Sequence, residues 1–220
     1  YPDGSNAVLS NINLRIPKGS MVGIIGKTGC GKTTIVDLLL RTYNIEEGQL
    51  FLDGKDIMHI PFRKVRENIG YVPQDNFLFS DTIANNISFA YAAPDEDSVI
   101  SAAKFADVHN NIEEFQDKYN TILGERGVTL SGGQKQRVSI ARAVIKDPAI
   151  LIFDDSVSAV DTKTEETILN KLRKIREGKT TLMIAHRIST VESLDIIVVM
   201  EDGKLIGVGS HEELLNSCPM

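Results

Sequence analysis

The stretch GKTGCGKT at residues 26–33 limits the possible folds of this chain more than any other. It fits the pattern G-x-x-x-x-G-K-[ST]. The apolar run MVGII stands directly before it, and TTIVDLLLRTY, with helical length and apolar spacing, directly after. The run reads as a fully buried strand, and strands of that kind belong inside a mainly parallel sheet covered on both faces. The glycines let the backbone wrap closely, so that its N–H groups and the helix N-terminus converge on one spot, a cradle for phosphate.

The rest of the chain repeats the theme. Short apolar runs at 69–72, 149–153, 181–185 and 196–200 are separated by helical stretches, the pattern of an α/β fold. NINLRI, with Ile12, Leu14 and Ile16 alternating, predicts a half-buried strand. QLFLDGKDI and EDGKLIGVG each carry an Asp-Gly pair between apolar residues, which predicts two antiparallel hairpins. HEELL predicts a short terminal helix, and Ile35, Leu38 and Leu39 are expected on one face of the helix after the glycine loop. Between 78 and 148 strand signals fade and helical ones dominate. The expected organisation is a single domain over 1–220, with an α/β core at 1–77 and 149–220 and a helical subdomain at 78–148.

Composition excludes some partners. Thirty acidic residues against 24 basic ones give a net charge of −6, with no basic tract, which argues against a nucleic-acid binder. No run approaches the length of a membrane span, and no signal peptide is expected. Cys30 and Cys218 lie far apart and suggest no disulfide framework, so a reducing setting is expected. His59, His109 and His211 have no metal-ligand spacing. Asp95, Glu96 and Asp97 read as a solvated helix start.

Within the cradle, Lys32 is expected to reach the β- and γ-phosphates of a nucleotide and the Thr33 hydroxyl to ligate Mg²⁺. ILIFDD at 150–155 supplies a carboxylate, Asp154, at the end of another strand, where it suits the same cation. LSGGQKQRVSIARAVIKDP at 130–148 is a glycine turn opening an amphipathic helix, with Val138, Ala141, Val144 and Ile145 expected to face inward. It is a second anion-seeking helix N-terminus. Two such devices with one lysine-bearing loop invite an arrangement in trans, in which the second closes on nucleotide held by another subunit.

Together these stretches resemble the ATP-binding cassette family, specifically the nucleotide-binding domain of an exporter-type transporter, over essentially the whole chain. The resemblance implies a P-loop NTPase (RecA-like) α/β core with a mainly parallel sheet, an antiparallel β portion and an inserted helical subdomain. It implies ATP and Mg²⁺ as cofactors. The ATP site would comprise Tyr1 (stacked on adenine), Gly26, Lys27, Thr28, Gly29, Cys30, Gly31, Lys32, Thr33, Thr34, Gln74 and His186 (on the γ-phosphate). The metal would be held by Thr33, Gln74 and Asp154, and catalysis would fall to Asp155, His186, Gln74 and Lys32. Ser131, Gly132, Gly133 and Gln134 would act in trans, and SAVD at 158–161, ending in Asp161, would cross the dimer interface. YVPQD places Gln74 against both the metal and a transmembrane partner, while LFSDTIANNI at 78–87 and TILGERG at 121–127 resemble exporter elements. The implied partners are an exporter's transmembrane domain, absent from this chain, and a second nucleotide-binding domain, at the cytoplasmic face of the cell membrane. Because the chain begins at the adenine-stacking tyrosine, it is expected to be part of a longer polypeptide.

One residue departs from the family pattern. Its strand ends Asp-Glu, the glutamate polarising the attacking water, and here the second acid is Asp155. Asp and Glu differ in intrinsic acidity by only about 0.4 units, so basicity is not at stake. Reach is, because aspartate is one methylene shorter, and a misplacement of about 1 Å costs on the order of a hundredfold in rate. Slow hydrolysis at the chain's own site is therefore expected, together with pairing to a Glu-bearing partner in a heterodimer. Two alternatives stand beside this: an ordinary homodimeric ATPase, and an ATP-gated module that activates a partner cassette with little hydrolysis of its own. Cys30, beside Lys32, reads either as a small residue tolerated in the loop or as a reactive thiol.

Overall fold

A computed structural model describes residues 1, 4, 7–91, 95–124, 129–156 and 161–217. In chain order the elements are β1 (Met21–Gly26), α1 (Lys32–Leu39), β2 (Phe51–Leu52), β3 (Lys55–Asp56), α2 (Phe62–Glu67), β4 (Ile69–Val72), α3 (Ile83–Ile87) and α4 (Glu96–Phe105). They continue with α5 (His109–Glu113), α6 (Gly132–Val144), β5 (Ile150–Asp154), α7 (Thr162–Ile175), β6 (Thr180–Ile184), α8 (Ile188–Val191), β7 (Ile196–Glu201), β8 (Lys204–Gly209) and α9 (His211–Ser217). The chain divides into two compact units, one of Tyr1–Ile69 with Gly178–Met220 and one of Gly70–Glu177.

In the first unit β1 is flanked by two parallel neighbours, with Met21 opposite Thr181 in β6 and Val22 opposite Ile196 in β7. This explains the unbroken apolar character of MVGII: Met21 through Ile25 are buried, with no solvated face to alternate toward. β8 returns antiparallel to β7, Ile197 facing Gly209, through Asp202 and Gly203, both at positive φ. β2 and β3 form the other expected hairpin, with Asp53 and Gly54 also left-handed.

One expectation needs correction here. Ile12, Leu14 and Ile16 are half-buried between exposed neighbours, as their alternation requires, yet they form no strand. Alternating burial needs only a surface on one side, whereas a strand also needs a hydrogen-bonding edge. In α1 the buried apolar positions are Val36 and Leu39, with Ile35 and Leu38 at its margins. The helix ends at Leu39 because Arg41 takes a left-handed conformation and Thr42 N–H bonds back to the Asp37 carbonyl.

In the second unit β4 lies beside β5, and α3 and α4 pack on α6. Gly70 makes the strand–helix approach possible, because a Cβ there would lie 2.6 Å from the Ala143 carbonyl oxygen and 2.7 Å from Pro148. The helices expected at 78–148 are present. Asp95 caps α4 by accepting from Ser98 N–H, so the acidic cluster is a helix start. The buried face of α6 consists of Gln136, Val138, Ser139, Ile140, Ala141 and Ala143, while Val144 and Ile145, expected inside, are only half-buried. Among the described residues no helix is long and apolar enough to cross a membrane.

Candidate nucleotide site

In the first unit the glycine loop emerges from β1 and enters α1. Gly26, Gly29 and Gly31 have φ of 155°, 84° and 98°, so the turn uses conformations that L side chains rarely adopt. At Gly31 a Cβ would press to 2.6 Å from Leu9, while at Gly29 it would meet nothing within 4 Å. The loop is thus closed toward the protein and open on its outer side. Gly31 is also the N-cap of α1 and provides no side-chain hydrogen bond to the first turn.

Lys32 is 5% exposed, and its Nζ donates to the carbonyls of Gly26 at 2.8 Å and Lys27 at 3.0 Å. The loop therefore wraps its own lysine and holds the ammonium at its centre. Cys30 is buried, its Sγ 3.9 Å from that ammonium. Lys27, Thr28, Gly29 and Thr33 form the exposed rim. Tyr1 joins the same neighbourhood, its hydroxyl 2.8 Å from Thr34 Oγ1. His186, also in this unit, is exposed two residues beyond the end of β6.

In the second unit Asp154 ends β5 and is 3% exposed, and the Tyr71 hydroxyl donates to its Oδ2 at 3.2 Å. Asp155 follows with φ 47°, the left-handed region that aspartate and asparagine enter more readily than other non-glycine residues. Gln74 is exposed just beyond β4. Thr33 in the first unit, and Gln74 and Asp154 in the second, carry a hydroxyl, an amide and a carboxylate, each an oxygen donor of the kind a hard cation such as Mg²⁺ takes. Among the described residues no three His, Cys, Asp or Glu side chains converge to hold a metal.

The signature turn is built as a capping box. Ser131 Oγ accepts from Gln134 N–H, while Gln134 Oε1 accepts from Ser131 N–H at 2.9 Å. Two of its polar side chains thus have a structural task, and the first-turn amides of Gly132 and Gly133 have no acceptor inside the helix. Asp161 caps α7 through Thr164 N–H and hydroxyl, and these two bonds, with the nearby Arg137 charge, hold its carboxyl below the ordinary value. The remainder of SAVD, residues 125–127 of TILGERG, residues 2 and 3 and Cys218 lie outside the described residues.

Residue-by-residue reading missed two features. Tyr71, which aims the Asp154 carboxylate, looked like an ordinary strand residue. An aromatic group of exposed Phe77, Phe79 and Phe89 borders a cleft of about 290 Å³, with Arg142 beneath, 5.6 Å from the Phe79 ring centre. The spacing of aromatics at 77, 79 and 89 was the available signal.

A family model described as ABC transporter matches residues 9–158. The chain is 45% identical over 216 residues to the alpha-hemolysin translocation ATP-binding protein HlyB of Escherichia coli, covering 98% of this chain and 31% of that protein. It is 42% identical over 213 residues to the heavy metal tolerance protein of Schizosaccharomyces pombe, covering 97% of this chain and 26% of that protein. A solved structure of a bacterial Atm1-family ABC exporter with ATP bound superposes with a TM-score of 0.93 at 43% identity, over 97% of this chain and 38% of that one. The chain spans about a third of the length of these relatives.

Proposed function

The chain belongs to the ABC transporter family, and from that premise we propose that it binds Mg-ATP on its glycine loop and pairs head to tail with a second cassette. In this reading ATP binding and hydrolysis power export across a membrane, with this domain at the cytoplasmic face. The observation that carries it is the open loop itself: left-handed glycines, a buried lysine at the centre and an uncapped helix start form a site for a polyphosphate.

Each residue has a task in this reading. Lys32 neutralises charge on the β- and γ-phosphates, and the N–H groups of the loop and first helical turn donate to the remaining oxygens. Thr33, Gln74 and Asp154 hold the cation, with Tyr71 orienting the Asp154 carboxylate. Bound Mg²⁺ supplies charge neutralisation on the phosphate oxygens. Asp155 polarises the attacking water, His186 donates toward the γ-phosphate, and Tyr1 stacks on the base. The amides of Gly132 and Gly133 close over nucleotide bound to the partner cassette, and Asp161 lies at that interface. The exposed aromatic group at Phe77, Phe79 and Phe89, following closely on Gln74, is the surface assigned to the transmembrane partner.

A second reading is favoured by Asp155. Its left-handed backbone suits aspartate, so the shorter acid fits the local chain path at the expense of reach. A slow site of this kind would make the domain chiefly an ATP-gated module that activates a Glu-bearing partner. Calorimetric titration with Mg-ATP tests the shared core of both readings. Wild type is expected to bind and Lys32→Met to weaken binding by about a hundredfold or more. Equal affinity in the two proteins would remove the loop as the phosphate site.

A further inference from the structure

We infer that Tyr43 is a positioning residue for the Tyr1 ring, so that recognition of the nucleotide base depends on a pair of tyrosines held at α1 and its exit turn. The inference rests on the ATP-binding reading above. Tyr1 is 50% exposed and precedes the buried core by some twenty residues of chain, so by itself its ring would sample several rotamers. Two contacts restrict it. Its ring lies 4.9 Å from that of Tyr43 with the planes at 88°, an edge-to-face pair. Its hydroxyl lies 2.8 Å from Thr34 Oγ1. The ring is therefore held both at its side and at its tip. A perpendicular pair covers at most one face of either ring, so Tyr43 leaves Tyr1 at least one face for a planar base.

Both anchors belong to α1 or its exit. Thr34 is in the first turn, two residues after Lys32. Tyr43 is placed by the hydrogen-bonded helix end, where Leu40 N–H bonds to Val36, Arg41 N–H to Leu38 and Thr42 N–H to Asp37. The helix thus carries the phosphate-binding amides and Thr34 in its first turn, and the hydrogen-bonded turn at its exit carries Tyr43. The separation between triphosphate and base is set by α1 together with its exit turn and not by the loop that carries Tyr1. This geometry suits a nucleoside triphosphate with a broad planar base, a purine before a pyrimidine, because stacking grows with the overlapping area.

The test compares Mg-ATP with inorganic Mg-tripolyphosphate, which lacks the base, by calorimetric titration of the full chain. Tyr43→Ala is expected to weaken ATP about three- to tenfold, the equivalent of one edge-to-face pair, while tripolyphosphate affinity stays within twofold. Tyr43→Phe, which keeps the ring, is expected to retain ATP affinity, and Tyr1→Phe, which loses only the hydroxyl contact, to lose less than Tyr43→Ala. Unchanged ATP affinity in Tyr43→Ala, or equal weakening of both ligands, overturns the inference. The ATP reading fails separately, if wild type binds neither ligand or prefers ATP no more than tripolyphosphate.

Discussion

Replacing Asp155 by glutamate should raise ATP turnover and lower stability together. The added methylene carries the carboxylate about 1.5 Å further, one carbon–carbon bond. Since misplacement by about 1 Å costs on the order of a hundredfold, correcting most of the deficit should increase the rate at least tenfold, or about 1.4 kcal/mol of barrier. The opposing term comes from the backbone. Asp155 has φ 47°, a region that costs an L-residue roughly 1–2 kcal/mol, and aspartate, which can hydrogen-bond locally, bears less of that cost than glutamate. For a chain of 220 residues, about 1 kcal/mol corresponds to a fall in Tm of roughly 2–4 °C. Asp155→Asn separates the terms, because asparagine tolerates the same backbone but carries no charge: its Tm should match wild type and its turnover should fall. The assay is steady-state Mg-ATP turnover over a range of protein concentrations, with thermal unfolding of the same samples. A rate rising faster than linearly with protein would indicate that pairing switches hydrolysis on. If Asp155→Glu turns over no faster than wild type, reach is not the limitation. If Asp155→Asn keeps wild-type turnover, residue 155 is not the base at all.

Two structural predictions accompany it. Asp161→Ala removes the N-cap of α7 and should lower Tm by a few degrees at neutral pH. The Thr164 hydroxyl and amide hold the folded carboxyl below its usual 3.8, so this contribution is complete above that value and is lost as pH falls through the lower folded value; a Tm gap that is as large at pH 2 as at pH 7 would exclude the charged cap as its source. Arg142 donates to the Asn86 carbonyl at 2.7 Å, the Phe77 carbonyl at 2.8 Å and Asn86 Oδ1 at 2.9 Å. Burial brings its pKa down to about 10, so it remains charged at neutral pH. Arg142→Met should cost roughly 2–4 kcal/mol by stranding these acceptors, measurable by denaturant unfolding, and a loss under about 1 kcal/mol would show that water replaces the guanidinium.

Much of the site was legible because phosphate chemistry writes itself locally. A strand, a glycine turn, a lysine and a helix start are contiguous, and the geometry at 26–34 follows from residues that touch along the chain. The hairpins at Asp53–Gly54 and Asp202–Gly203 were legible for the same reason, since positive φ at Asp-Gly is a property of those residues. The half-buried stretch at 12–16 was misread because burial of alternate residues is a sequence property while pairing to a neighbour is not. Likewise Val144 and Ile145 have the right spacing for an inner face, but α3 and α4 pack on α6 so that Ser139 and Gln136 are buried instead.

The sequence by itself determined the α/β class, the glycine loop between β1 and α1, the two acids at the end of β5 and the capped turn before α6, each carried by residues adjacent in the chain. Tertiary structure alone decided that Tyr71 aims Asp154 and that Tyr43 and Thr34 hold Tyr1. Those contacts join residues 83, 42 and 33 positions apart. No local periodicity encodes which side chains meet across such distances, because that depends on where the sheet and helices bring the backbone.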